Sequence, residues 1–156
     1  MYIDYELLKM TEAIKKLEQL LKTGNEYISK SLESELAHKP VPEKWSKKEI
    51  MGHLIDSGIN NLQRFTEIQF EHKPYVIKKY NQDELVKAND YQNSEINEII
   101  DLWISINNRI LFLMKKQNED TLNYKIELGD DEMSDLRFLM KDYVSHMEHH
   151  MNQVMK

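Results

Sequence analysis

The chain has 156 residues, 40% of them hydrophobic, which is the length of one domain, 1–156, large enough to bury a core without covalent staples. It contains no cysteine, which excludes disulfides, thiolate metal sites and a thiol nucleophile of its own, and fits a reducing compartment. A formal charge of -6 with no dense Lys/Arg cluster argues against nucleic acid as a partner.

The opening MYIDYELLKM carries acids and lacks the basic start and apolar run of a signal peptide. No stretch approaches the ~18 uninterrupted apolar residues of a membrane span, so a cytoplasmic protein with no membrane partner is expected. Leu7, Met10, Ile14, Leu17, Leu21, Ile28 and Leu32 keep one helical phase from about residue 5 to 36. That phase runs through Thr23, Gly24 and Asn25, so it is one long helix or two nearly coaxial ones. Pro40 and Pro42 then punctuate a connection. Ser46 and Glu49 form a capping box, with Trp45 and Ile50 as its hydrophobic staple, so a second helix starts near Ser46. Its apolar face is Ile50, Met51, Leu54, Ile55, Ile59, Leu62 and Phe65, and it ends near Glu71, before His72, Lys73 and Pro74.

A loop with one short helical turn around Asp83 to Lys87 leads to a third helix, capped by Ser94 and ending near Gln117. Its face is Ile96, Ile99, Ile100, Trp103, Ile106, Ile110 and Met114. Residues 121–128, TLNYKIEL, alternate too briefly to define a strand. After Gly129, the acids Asp130, Asp131 and Glu132 suit the positive end of a final helix that buries Leu136, Leu139, Met140, Tyr143, Val144, Met147, Met151 and Val154. The nine methionines fall at core spacing and read as gap-fillers. With no fifth amphipathic segment and no strand series, the expected fold is all-α, an antiparallel four-helix bundle with one or two longer crossings. The apolar excess on the first and third helices leaves room for a homodimer.

The residues that carry chemistry are histidines. His146 and His150 are four apart on the last helix and therefore share a face, at the edge of the apolar side beside Leu139 and Tyr143, while His149 points farther out. His53 lies at the border of the second helix's apolar face. Three imidazoles converging from two helices would leave the fourth position of a tetrahedral ion open, which is a catalytic rather than a structural arrangement. Each feature has an ordinary alternative: an i,i+4 pair on a solvated helix end drawn there by the dipole, and a hydrogen-bonded boundary histidine. His38 and His72 sit in or beside loops. Ser57, Asn60 and Arg64 follow His53 on one stripe, which reads either as the mouth of a polar pocket or as a solvated face.

The stretch WSKKEIMGHLIDSGINNLQRF, from Trp45 to Phe65, followed by YVSHMEHHMNQ, from Tyr143 to Gln153, resembles the DinB-like superfamily and, within it, the YfiT-like metal-dependent hydrolases. The tryptophan opening the second helix, the HLxDS element, the Arg64–Phe65 pair, the KPY-type loop and the C-terminal HxxHH followed by Gln153 match in order along nearly the whole chain. The resemblance implies a bundle holding one divalent cation, zinc or nickel, on His53, His146 and His150, with water completing the shell. It also implies a small-molecule substrate. The activity the resemblance implies is that of a hydrolase, or of the relatives that transfer low-molecular-weight thiols such as bacillithiol or mycothiol to electrophiles. On that reading Arg64 steers an anionic substrate or stabilises developing negative charge, and Asn60 orients it. Asp56 and Glu148 are candidate acceptors for imidazole N–H groups, although helical angle puts Asp56 off the His53 stripe. Met147 and Gly58 depart from common family choices and bear on substrate rather than metal. The competing expectations are a bundle that binds an ion without catalysis and a plain dimerising bundle.

Overall fold

The computed structural model describes residues 5–156, with side chains from Lys9 onward, so the side chain of Leu7 and residues 1–4 lie outside the described part. Helix α1 (Tyr5–Lys30) runs unbroken through Thr23, Gly24 and Asn25 and buries Met10, Leu17, Leu21 and Ile28. It stops earlier than the apolar phase predicts. The Ser31 hydroxyl donates to the Tyr27 carbonyl at 2.7 Å, a local bond that competes with the helical ladder, and a separate short helix α2 (Glu33–Ala37) follows.

Helix α3 (Lys47–Glu67) begins at the expected capping box. Glu49 N–H donates to Ser46 Oγ and Ser46 N–H donates to Glu49 Oε1, each at 3.1 Å. It ends one turn before Glu71, because the chain turns over buried Ile68 and the Glu67 carboxylate accepts the Tyr75 hydroxyl at 2.6 Å. The crossing that follows carries strand β1 (Tyr75–Val76), helix α4 (Gln82–Ala88) and a 3-10 turn, Tyr91–Asn93. Ser94 does not cap helix α5 (Ile96–Lys116). Its hydroxyl donates back to the Asp90 carbonyl at 2.9 Å, and Glu95 precedes the helix without a side-chain cap.

A short helix α6 (Glu119–Leu122) precedes the main departure from the sequence reading. Lys125–Gly129 forms strand β2 and Glu132–Asp135 forms strand β3, and with β1 they make a three-stranded sheet in the order β1-β2-β3. β1 pairs parallel to β2, and β2 antiparallel to β3. Asp130 and Asp131 both have positive φ, 51° and 61°, so the acids make a two-residue hairpin turn. The cap of the last helix, α7 (Leu136–Val154), is instead Asp135, which accepts the Phe138 N–H at 2.8 Å.

The four long helices form the bundle, with α5 and α7 each packed against both α1 and α3. α1 and α3 therefore lie across one diagonal and α5 and α7 across the other, so the first and third connections cross the bundle diagonally and all three connections are long. Trp103, Leu17, Leu54, Ile110, Met114, Met147 and Met151 fill the centre, each nearly or wholly removed from water. Burying a side chain of this size stabilises by about 1.5–3 kcal/mol, which is what holds the helices together. Gly58 belongs to this packing: a Cβ there would lie 2.9 Å from Ile106 Cγ2 and 3.3 Å from Tyr143 Oη, so it sets how closely α3 and α5 approach. No described helix is long and apolar enough to cross a membrane.

Candidate metal centre

The second turn of α3 meets the C-terminal half of α7, and that antiparallel meeting brings three imidazoles together. His146 Nε2 lies 3.2 Å from His53 Nε2 and 3.1 Å from His150 Nε2. Two nitrogens bound to one tetrahedral ion at 2.0–2.1 Å are separated by about 3.3 Å. The ring planes stand at 76–77° to one another, with centroids 4.6–5.1 Å apart, so the nitrogens share a point while the rings do not stack. Among the described residues this is the group of histidines and carboxylates whose donor atoms cluster closely enough to hold an ion. His149 is exposed and turns toward Gln153, with Nε2 3.5 Å from the Gln153 amide nitrogen.

The environment favours the ligand form of each ring. Burial, and then the neighbouring histidines, hold the pKa of His53 and of His146 down to about 4, and burial lowers that of His150 as well. Neutral imidazoles are what a divalent ion binds. The same depression makes the metal-free fold sensitive to acid. Between about pH 6.5 and about pH 4 the unfolded chain binds protons at His53 and His146 that the folded chain refuses, so stability is fully present above pH 6.5 and is lost as pH falls through that window. Thermal melts of metal-free protein should therefore show Tm declining from pH 6.5 toward pH 4, with a smaller decline in the His53→Gln variant. A flat Tm over that range would contradict the buried placement.

The residues that orient the triad differ from those the sequence suggested. His150 Nδ1 lies 2.9 Å from Gln153 Oε1, so Nδ1 carries the proton and Nε2 keeps its lone pair for the shared point. That i,i+3 spacing was visible in the sequence but was read only as part of a signature. The Trp45 ring packs on His53 with centroids 5.0 Å apart and planes tilted by 36°, beyond its role at the helix entry. His53 Nδ1 is buried and meets no hydrogen-bond partner among the described residues. Neither carboxylate considered as an acceptor for an imidazole serves as one. Asp56 Oδ1 accepts the Tyr91 hydroxyl at 2.6 Å and the Asn89 amide at 3.0 Å, while Glu148 pairs with Lys16 at 2.9 Å. Burial raises the pKa of Asp56, and the two hydrogen bonds only partly offset it.

Asn60 and Arg64 lie about 10 and about 16 Å along the helix axis from His53, at 1.5 Å per residue. The Asn60 amide donates to the Asp56 carbonyl at 2.9 Å. Arg64 Nη2 donates to the Lys78 carbonyl at 2.5 Å, and its guanidinium lies over the Tyr80 ring at 5.4 Å. The cavity beside the triad, about 480 Å³, is bounded by His150 and Gln153 of α7, Trp45 and Ile50 at the start of α3, and Gln82 and Asp83 of α4. Neither Asn60 nor Arg64 lines it.

A family model for the DinB superfamily matches residues 12–154. The chain belongs to the DinB superfamily. This DinB-superfamily fold is similar to that of YfiT from Bacillus subtilis, described as a probable metal-dependent hydrolase with an unusual four-helix bundle topology. The TM-score is 0.84 at 20% identity, over 98% of this chain and 86% of that one. It is also similar to a mycothiol-dependent maleylpyruvate isomerase, with a TM-score of 0.71 at 12% identity, covering 93% of this chain and 60% of the other. No curated protein matches the sequence. At these identities the two structures establish the shared fold.

Proposed function

We propose that the protein is a metal-dependent enzyme whose single divalent ion, zinc or nickel, is held by His53, His146 and His150. The observation that carries this reading is the convergence of three Nε2 atoms from two helices on one point, with 3.1 and 3.2 Å between neighbours. An ion held by three neutral ligands keeps its full charge and an open position, and supplies the Lewis acidity that ionises water or a thiol near neutral pH. The chain has no cysteine, so a thiol nucleophile would have to come from a low-molecular-weight cosubstrate. Hydrolysis and thiol transfer then differ only in which nucleophile reaches the site.

The protein's own residues orient and enclose. Gln153 fixes the His150 ring and Trp45 covers His53. The small-molecule substrate enters by the cavity between α4 and the end of α7. Arg64 acts at a distance in this reading, and Asn60 bonds the Asp56 carbonyl of its own helix. Arg64 grips the Lys78 carbonyl and so holds the crossing that carries α4 to the cavity wall, which a direct contact with substrate at the triad would not allow from about three turns away.

The test is turnover by tag-free protein loaded with one equivalent of zinc or nickel. Esters and amides probe hydrolysis, and electrophiles supplied with a small thiol probe transfer. The expected result is ion-dependent turnover in one of the two classes, abolished by chelator and by His150→Ala. Bound metal that raises Tm while neither class turns over would overturn the enzymatic reading in favour of an ion-binding bundle.

A further inference from the structure

The cavity beside the triad has a charge character that none of the preceding observations assigns. His150 lines it on one side and Trp45, whose ring packs on His53, lines it on another, so a molecule seated there lies against one of the three imidazoles and against the cover of a second. Its apolar lining is made by Trp45, Ile50 and Pro40. Its rim carries two carboxylates, Glu43 from the α2–α3 connection and Asp83 from the first turn of α4, against one ammonium, Lys44. The ion pairs of the described residues engage other groups: Lys39 with Glu49, Lys48 with Glu33, and Lys16 with Glu148. Glu43 and Asp83 line the cavity and take part in none of the ion pairs of the described residues. Arg64, the cation that would suit an anionic substrate, is turned away and bound to the Lys78 carbonyl.

We infer that the cavity selects substrates that carry a protonated amine at the end of an apolar segment, with Glu43 and Asp83 as the specificity residues and Trp45 and Ile50 as the seat of the segment. This inference rests on the proposed metal site for the position of the reacting end, but the charge preference belongs to the rim alone. Both carboxylates are exposed, so each contributes a factor of about two and the pair about four-fold in affinity, diminishing with salt.

Two sets of probes separate the rim from the ion. On metal-free protein, hexylamine, hexanol and hexanoate are compared through the change they cause in Trp45 fluorescence, with Trp45→Phe removing the signal and leaving the Trp103 background. On zinc-loaded protein, 6-aminohexanohydroxamate, hexanohydroxamate and the monohydroxamate of adipate are compared by calorimetry. The expected order in both sets is amine first and carboxylate last, flattened in Glu43→Gln/Asp83→Asn and weakened by raised salt. Equal binding across charges, or an amine preference unchanged in the double variant, would overturn the inference. If hydroxamates bind no better than their headless counterparts while the amine preference persists, the metal reading fails and the rim assignment stands.

Discussion

Alanine at His53, at His146 or at His150 is expected to abolish stoichiometric binding of a divalent metal, while alanine at His149, His38 or His72 is expected to leave it intact. The three sensitive positions supply the Nε2 atoms that meet at 3.1 and 3.2 Å, and two remaining imidazoles cannot form a site open at one position and closed at three. The expected loss in affinity exceeds the roughly 10–100-fold typical of deleting a ligand's hydrogen-bonding partner. That lower range is the expectation for Gln153→Ala, which frees the His150 ring without removing a ligand. Metal content by mass spectrometry after incubation with excess ion and desalting gives the answer variant by variant. Loss in His149→Ala equal to that in His150→Ala would sink the assignment, because the two rings are adjacent in sequence and only His150 brings a ring nitrogen to the shared point.

The second large effect is expected in the stability of the fold, one residue before His53 on α3. Gly52→Ala lowers Tm by roughly 4–8 °C, from about 2 kcal/mol of overpacking at the 2–4 °C per kcal/mol usual for a domain of this size. A Cβ at position 52 would fall 2.0 Å from Tyr91 Cδ2 and 2.2 Å from its Cγ, atoms near the root of a buried ring that cannot swing aside. Moving the ring would also break the Tyr91 hydroxyl's bond to buried Asp56, leaving a carboxylate oxygen without its best donor beside one that already lacks a partner. Thermal melts of Gly52→Ala, Tyr91→Ala and the double variant test the cause. If the contact is responsible, the alanine at 52 costs far less once Tyr91 is gone. An equal cost in both backgrounds would point to the loss of a helix glycine for some other reason.

Two further polar residues of α3 show what spacing along a helix leaves open. Asp56 and Arg64 share α3 with His53, and a sequence shows only that they are polar and on or near its stripe. Once folded, both are turned to the crossing between α3 and α5: Asp56 to Asn89 and Tyr91, Arg64 to Lys78 and Tyr80. Helical angle correctly separated Asp56 from the His53 stripe, since that depends on 100° per residue alone. It could not report what would arrive opposite Arg64, because the arriving residues lie in a loop with no period of its own.

What the amino-acid order determined by itself is local. The apolar phases of α3, α5 and α7, the Ser46–Glu49 capping box and the shared face of His146 and His150 follow from 3.6 residues per turn and from which side chains can satisfy the first N–H groups. What the tertiary structure decided is which distant segments meet. The β1–β2 pairing joins residues some fifty apart, and Ile126 becomes a buried strand residue only when Tyr75 lies alongside it, which is why so short an alternation carried no signal. Asp130 and Asp131 entered a left-handed turn instead of a helix N-terminus because the hairpin required it. The distance from His53 to His146 was likewise beyond the reach of sequence spacing. It is set by the packing of α3 against α7, and the burial that packing imposes is what keeps the imidazoles neutral.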